Sequence, residues 1–483
     1  MQLEKLSALE LGRLVRNRSI RPTEVIQYFE HRINQLNPLL NAFVYLNFED
    51  AYDEAKQLEQ IIAAGKEVGP LAGVPIALKD FLPTKRGWPA THGGVEHFQT
   101  TDDADSEFYK ACMNLDAIAI GKTNAPSFGF RATTDNKMFG PTRNPYNLSY
   151  NSGGSSGGSA AAVGSRLVPL AEGGDAGGSI RVPAAWCGVF GMKPSAGLVP
   201  SVCRPDAWTA THPYCCGGPI TRSVDDAIVV LNEMARYDPR DPISAPIAEK
   251  LEERIPDSIS QLQVKYTYDF GGIFPEPEAP IITALQEVQA YLDSILVQRT
   301  EPAEFQFNFS KESMEYAWLQ GISIDSSIDL RLMPNEQREC IYRDTSEEFR
   351  RWDNIAFGSN MLDYRKFHEV RTDILDSHLK VFDDCDIIIA PVTGCMPVKN
   401  SDDFNTKGPS SINEVSVDPL IGFAYTYLEN MTGFPAASVP ICLSSDGLPI
   451  GIQVIAPRYL DHNVLGISKI LMKHFQVANP CLQ

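Results

Sequence analysis

Two runs of glycine and serine lie close together in this chain, at residues 153–158 (GGSSGG) and 173–179 (GGDAGGS). Between residues 151 and 180, nine residues are glycine and six are serine. Glycine at this density allows positive φ angles and brings bare backbone N–H groups close to a ligand. Because the serine hydroxyls supply the side-chain chemistry, the runs predict a phosphate-binding loop, a flexible linker or a reactive-serine site.

The surrounding residues argue against the first two of these interpretations. A P-loop requires a Lys-Ser or Lys-Thr pair after its last glycine, and a dinucleotide-binding fold requires G-x-G-x-x-G. Neither pattern occurs in these runs. A linker would be polar and unpatterned, whereas residues 160–163 (AAAV) and 167–170 (LVPL) predict a short helix and a buried strand. The runs therefore belong to the interior of a folded domain.

A reactive serine needs a group that activates it, and this group is usually histidine. None of the eight histidines lies within thirty residues of Ser155 or Ser179 in the sequence, which does not exclude a distant partner. Residues 153–157 also match the G-x-S-x-G nucleophile elbow, with Ser155 as the nucleophile. That elbow follows a buried apolar strand, whereas residues 146–152 are polar. The elbow remains an alternative.

Lys79 is a second candidate for the activating group. Residues 73–80 (GVPIALKD) predict an apolar strand that runs directly into this lysine. At the edge of a core, loss of hydration lowers the pKa of an ammonium group and favours the neutral amine that a general base requires. The alternative is an ordinary ion pair between Lys79 and an acid such as Asp80.

The order and spacing of these segments resemble the amidase signature family of serine hydrolases. The resemblance is carried by the segment ending at Lys79, the run GGSSGGSAAA and the run GGDAGGSIRVPAAWCG, and it spans about residues 5 to 475. Further segments agree with it, namely 121–124 (GKTN), 140–145 (GPTRNP), 190–195 (FGMKPS), 218–224 (GPITRSV), 238–242 (DPRDP), 432–436 (TGFPA) and 447–453 (GLPIGIQ).

The resemblance implies roles for several residues in and around the two runs. Ser179 stands where the family has its nucleophile, Ser155 where it has a bridging serine on a cis peptide bond, and Lys79 is then the base. The oxyanion hole would be formed by backbone N–H groups, namely those of Ala176, Gly177, Gly178 and Ser179. The side chains that support the turn would be those of Asp175, Arg181 and Ser156.

This mechanism implies no metal and no other cofactor, because a lysine is the base and backbone groups hold the oxyanion. Gly174 departs from the family, since many relatives have a serine or threonine there, and Ser152 stands where many have proline. The first departure concerns the hydrogen bonding around the proposed triad. The sequence does not show which group replaces the missing hydroxyl.

The resemblance implies an α/β fold, in which one large mixed and twisted β-sheet is sandwiched between helices in a single large domain. We expect residues 1–60 to form an N-terminal helical segment packed on the core and residues 61–483 to form the catalytic domain. Residues 243–380 match the family least and are expected to determine substrate selectivity. Strands are predicted at residues 74–78, 117–120, 386–390, 437–443 and 449–456.

Four aromatic residues in the variable regions are candidates for the walls of a substrate pocket, because recognition sites favour large amphipathic side chains. Packing in the core is the alternative for each of them. They are Trp208, Tyr214, Tyr316 and Trp318.

The net charge of −19 argues against binding to nucleic acids or anionic membranes. No apolar run reaches the roughly eighteen residues that a membrane-spanning helix needs, and the N-terminus lacks the apolar core of a signal peptide, so we expect a cytoplasmic protein. Ten cysteines without C-x-x-C spacing are typical of free thiols. His212, Cys215 and Cys216 cluster in sequence, but no second ligand pair accompanies them, so no metal site is predicted.

The leading hypothesis is an amide hydrolase that forms an acyl-enzyme and releases a carboxylic acid and ammonia or an amine. Its partner would be a small-molecule amide, and a homodimer is among the assemblies that we expect. The main alternative is the glutaminase (A) subunit of a tRNA-dependent amidotransferase. A catalytically inactive binding module is the third. The sequence leaves aliphatic, aryl, peptide and cyclic amides and carbamates open as substrates.

Overall fold

A computed structural model of the protein describes residues 1–81, 84–96, 99–246, 249–255, 258–478 and 480. Its α-helices are α1 (Ala8–Arg16), α2 (Pro22–Leu40), α3 (Phe48–Ala63), α4 (Glu107–Asn114), α5 (Gly157–Gly164), α6 (Arg181–Trp186), α7 (Val224–Met234), α8 (Leu251–Arg254), α9 (Ala279–Ile295), α10 (Lys311–Leu332), α11 (Asn335–Asp344), α12 (Glu347–Gly358), α13 (Met361–Phe382), α14 (Leu428–Thr432) and α15 (Asp461–His474).

The strands are β1 (Phe43–Leu46), β2 (Pro75–Lys79), β3 (Pro89–Ala90), β4 (Thr100–Thr101), β5 (Ile118–Thr123), β6 (Arg143–Asn144), β7 (Asn147–Asn151), β8 (Leu170–Asp175), β9 (Phe190–Lys193), β10 (Cys216–Thr221), β11 (Val264–Tyr266), β12 (Glu301–Pro302), β13 (Ile387–Pro391), β14 (Ser411–Ile412), β15 (Val415–Ser416), β16 (Ala436–Leu443) and β17 (Pro449–Ile455). Eleven of them form one sheet in the order β1-β5-β2-β8-β10-β9-β16-β17-β13-β11-β12.

This sheet is mixed. Strand β2 is parallel to both of its neighbours, β5 and β8, whereas β10 runs antiparallel to β8 and to β9. Strands β16 and β17 form an antiparallel hairpin in its middle. The predicted α/β fold, with one large mixed sheet between helices, is therefore confirmed.

The predicted strands 74–78, 117–120, 386–390, 437–443 and 449–456 correspond to β2, β5, β13, β16 and β17. The strand predicted at 167–170 was misplaced, since β8 starts only at Leu170 and continues into the second glycine run. Here Gly173 and Gly174 pair with Gly218 and Gly217 of β10. The glycine run therefore continues β8, although a sequence rich in glycine does not predict a strand.

The two faces of β2 contact different layers, because successive side chains of a strand point to opposite faces. Ile76 and Leu78 belong to the hydrophobic cluster that includes residues of α4, α7, α9 and α15. Ala77 belongs to the cluster that includes the alanines of α5 and Ala184 of α6. Lys79 follows the alternation of Ala77, so its side chain lies on the α5 side of the sheet.

The N-terminal segment contributes more than helices, since β1 pairs with β5 and forms one edge of the sheet. In the second half of the chain, α10 packs on both α12 and α13, and residues of these three helices form an aromatic-rich cluster with residues of β13 and α14. No helix among the described residues is long and apolar enough to cross a bilayer.

Candidate active site

Lys79 is the last residue of β2, and its side chain is only 4% exposed. Its ammonium Nζ lies 2.7 Å from the Ser155 hydroxyl oxygen, in hydrogen-bonding distance. The alternative partner, Asp80, lies 3.4 Å from the Nζ of Lys122 instead. The structure thus brings Lys79 to Ser155 and leaves Asp80 to a different lysine.

Burial lowers the pKa of Lys79 to about 7, against the partial opposition of negative charge from Asp175, Glu172 and Cys215. Desolvation disfavours the charged form of a lysine because the apolar surroundings cannot replace its hydration. At neutral pH a large fraction of Lys79 is therefore the neutral amine, which can accept a proton.

Ser155 lies just before α5, and the peptide bond between Gly154 and Ser155 is cis. The following residue joins the two serine runs, because the backbone N–H of Ser156 donates to the carbonyl oxygen of Ser179 at 3.1 Å. The Ser156 hydroxyl also accepts the N–H of Gly174 at 3.3 Å. These bonds join the two serine–glycine runs to each other beside the carboxyl end of β8.

Residues 176–180 form the turn between β8 and α6, which we call the nucleophile loop. Among the described residues, no acceptor is bonded to the N–H of Ala176, Gly177 or Ser179. The N–H of Gly178 differs, since it donates to Asp175 Oδ1 at 2.7 Å. Three of the four amides expected in the oxyanion hole are thus available, and the fourth holds the loop to Asp175.

Arg181 fixes the base of this loop through a buried ion pair. Its Nε and one terminal nitrogen each donate to the Asp175 carboxylate at 3.0 Å, and both side chains are fully buried. Burial alone would raise the pKa of Asp175, but the charge and hydrogen bonds of Arg181 outweigh it and lower this pKa to about 2. Arg181 also donates to Glu429 at 3.2 Å and to Gln453 at 2.6 Å.

We expect Arg181→Met to lower the free energy of unfolding by about 3–5 kcal/mol, because it leaves buried carboxylates without their cation. Urea denaturation measures this change. Arg365→Met is the matched control, since the Arg365–Glu369 pair is largely exposed on α13 and contributes little. Equal losses of stability in the two variants would contradict the role assigned to Arg181.

Of the four aromatic candidates, Trp318 is the one that contacts the nucleophile loop. A Cβ atom at Gly177 would lie 2.8 Å from Cζ2 of this indole, so the close approach requires glycine. Tyr316 lies two positions earlier on α10, roughly 200° away around the helix, and is 44% exposed. Trp208 is 56% exposed, and the ring of Tyr214 is in contact with the guanidinium groups of Arg371 and Arg458.

Sequence reasoning missed two residues next to the site. Glu172 accepts the backbone N–H of Lys79 at 3.2 Å, and burial raises the pKa of its carboxyl group to about 7. The hydroxyl of Thr426 donates to the carbonyl oxygen of Gly177 at 2.7 Å. Glu172 stands in a strand next to a glycine run and Thr426 lies about 250 residues downstream, so only their contacts could have identified them.

Comparison with known proteins gives the family. The family model described as Amidase matches residues 24–465. An acylamidase from Rhodococcus erythropolis is 30% identical over 96% of this chain and 94% of its own length. The structure of a bacterial aryl acylamidase of the amidase signature family superposes with a TM-score of 0.92 at 36% identity, covering 97% of this chain and 96% of the other.

The chain belongs to the amidase signature family, and it is a hydrolase that acts on carbon–nitrogen bonds. Another relative is one of the subunits of glutamyl-tRNA(Gln) amidotransferase in Clostridium acetobutylicum, which is 29% identical over 98% of this chain and the whole of its own. The 6-aminohexanoate cyclic dimer hydrolase superposes with a TM-score of 0.83 at 26% identity, and each chain is covered completely.

Proposed function

We propose that this protein hydrolyses linear amides with an apolar acyl or aryl group, through a relay of Lys79, Ser155 and Ser179. The observation that carries the proposal is the 2.7 Å contact between Lys79 Nζ and the Ser155 hydroxyl. This contact joins a buried amine with a pKa near 7 to Ser155. The next residue, Ser156, donates its backbone N–H to the carbonyl oxygen of Ser179. A neutral amine in hydrogen-bonding reach of a hydroxyl can act as its general base.

The proton path follows from this arrangement. Neutral Lys79 accepts the proton of Ser155 while Ser155 accepts that of Ser179, and the Ser179 oxygen attacks the amide carbonyl carbon. The C=O π bond breaks, and the resulting oxyanion accepts hydrogen bonds from the free N–H groups of the nucleophile loop. When the C–N bond breaks, the relay returns the proton to the leaving amine, and water then hydrolyses the acyl-enzyme.

The surroundings of the reacting groups support an apolar substrate. The Phe81 ring centre lies 5.2 Å from Lys79 Nζ. The Trp318 indole, on α10, lies against Gly177 of the nucleophile loop. Aromatic walls of this kind favour aryl or bulky acyl groups over the charged head of a free amino acid. The similarity to acylamidases agrees with this substrate class.

The glutaminase function is the second candidate, because subunits of glutamyl-tRNA(Gln) amidotransferases match the chain over almost its full length. Assays of the isolated chain separate the two functions. We expect kcat/KM for acetanilide to exceed that for acetamide by about tenfold for each 1.4 kcal/mol of added transition-state contact, and glutamine to be a poorer substrate than either. Ammonia release from glutamine at a higher kcat/KM than anilide hydrolysis would overturn the proposal.

The pH dependence of the reaction follows from the neutral form of the base. Because the proposed base is active without its proton, kcat/KM for an anilide should rise about tenfold per pH unit below a pKa near 7 and level off above it. A pH–rate profile between about pH 5 and 9 measures this ascending limb of kcat/KM.

Glu172→Gln provides the matched test of this assignment. The glutamine oxygen can still accept the Lys79 N–H. The substitution removes the negative charge that Glu172, when ionised, adds to that of Asp175 in raising the pKa of Lys79. The ascending limb should therefore move to lower pH. A limb that moves to higher pH would contradict the assignment of Lys79 as the titrating base.

A further inference from the structure

In the part of the chain that the structure describes, three buried polar groups beside the nucleophile loop have no hydrogen-bond partner and lie in one aromatic cluster. They are the indole N–H groups of Trp318 and Trp352 and the hydroxyl of Tyr427. These side chains are 4%, 2% and 1% exposed. The Trp318 ring centre lies 5.6 Å from that of Trp352 and 5.5 Å from that of Tyr427.

Such a concentration of unpaired groups requires an explanation. More than about nine in ten buried polar groups in native proteins have a partner, and leaving such a group unpaired destabilises the fold. The missing partner of such a group is an ordered water, an ion or an atom of a ligand.

The Trp318 donor lies closest to the proposed reaction centre. The Cβ position of Gly177 is 2.8 Å from Cζ2, 3.4 Å from Cε2 and 3.5 Å from Nε1 of the indole, so the edge of the ring that carries the N–H faces the nucleophile loop. Tyr427 follows Thr426, whose hydroxyl donates to the Gly177 carbonyl oxygen. Trp352 reaches the loop only through Trp318, with which it packs edge to face.

We infer that the Trp318 indole N–H and the Tyr427 hydroxyl form a polar subsite for a hydrogen-bond acceptor on the substrate, beyond its scissile carbonyl. The inference rests on the proposed amide hydrolysis and narrows its substrate class. An indole N–H donates only, so the matching substrate atom is an acceptor. An ether, hydroxyl or carbonyl oxygen on the acyl group or the amine would serve.

The acceptor is neutral rather than a carboxylate. Burial raises the pKa of Tyr427 well above its usual value, and the nearby carboxyl groups of Glu315 and Asp418 raise it further. The Tyr427 hydroxyl therefore keeps its proton and can donate it. The same two acidic side chains disfavour the binding of a negatively charged group in the subsite.

Pairs of substrates that differ by one oxygen test the subsite. One pair varies the acyl group, 3-methoxypropionanilide against pentananilide, and the other varies the amine, 4-methoxyacetanilide against 4-ethylacetanilide. For each pair the ratio of the two kcat/KM values is measured in the wild type and in variants. Differences in intrinsic reactivity cancel when the ratio is compared between enzymes.

In at least one pair, we expect Trp318→Phe and Tyr427→Phe each to lower the oxygen-to-methylene ratio by about tenfold, the usual effect of one lost hydrogen bond to substrate. Trp352→Phe is the matched control, because it removes a buried indole N–H from the same cluster but does not contact the loop. Its ratios should stay within about twofold of the wild type.

If the oxygen-to-methylene ratios of both pairs are the same in the wild type, Trp318→Phe and Tyr427→Phe, the inferred subsite is wrong. The proposed amide hydrolysis would not be affected by that result. A wild-type enzyme that hydrolyses none of the four anilides would remove the proposed function and the inference with it. Thermal unfolding of each variant shows whether it is folded, and Tyr427→Phe, which loses only one oxygen atom, keeps the test valid if Trp318→Phe is unstable.

Discussion

We expect Ser179→Ala to abolish turnover while leaving the fold intact, with a loss in kcat of about 10⁴-fold or more, as in other serine hydrolases without their nucleophile. The reason is that Ser179 alone places a hydroxyl on the loop whose free N–H groups can hold the oxyanion. The side chain is small and partly exposed, so its removal leaves no large cavity. Anilide hydrolysis by the purified variant, together with its thermal unfolding, measures both parts of the expectation.

A fluorophosphonate probe identifies the nucleophile independently of kinetics. We expect labelling of Ser179 in the wild type and no labelling of Ser179→Ala. Attachment of the probe to Ser155 instead would favour the nucleophile-elbow alternative, in which Ser155 attacks the carbonyl. Mass spectrometry of proteolytic peptides separates the two sites, because they lie in different serine–glycine runs.

We expect Lys79→Met to lower kcat/KM by about 10²–10⁴-fold, the usual contribution of a general base. Methionine preserves most of the buried volume and removes the amine that lies 2.7 Å from Ser155. The ascending pH limb near 7 should disappear with it. Single-turnover rates on an anilide measure the acylation step directly.

Lys193→Met is the matched control for Lys79→Met, because Lys193 is also a fully buried lysine at the end of a strand of the same sheet. Burial lowers its pKa as well, but its Nζ donates to the carbonyl oxygen of Pro194 at 2.9 Å and contacts neither serine. Near wild-type rates in Lys79→Met at neutral pH, or an equal loss in Lys193→Met, would refute the proposed role of Lys79.

The sequence predicted those parts of the fold whose signals are local. The apolar run before Lys79 and the hairpin of β16 and β17 are strands because short apolar segments bounded by turn residues are favoured in a buried sheet. The serine–glycine runs were recognised because few structures need so many glycines together. Both signals depend on residues that are close together in the chain.

Features that depend on distant segments could not be predicted in this way. Glu172 looks like an ordinary polar residue in the sequence, and it is the parallel pairing of β2 with β8 that brings its carboxylate to the Lys79 N–H. Trp318 and Tyr316 are both large aromatic residues of the same segment, so the sequence predicts the same role for each. The orientation of α10 decides that Trp318 is the one that contacts Gly177. Weak amphipathicity in such a helix gives no sequence signal for its buried face.

The ion pair of Arg181 has a consequence for how activity arises during synthesis. Lys79, Ser155 and Ser179 all lie within the first 179 residues, but Arg181 also binds Glu429 and Gln453, which are 248 and 272 positions further along. A ribosome has therefore exposed the whole proposed relay long before the side chains that secure its loop emerge. We therefore expect the proposed relay to become active only after Glu429 of α14 and Gln453 of β17 have been synthesised and can bind Arg181.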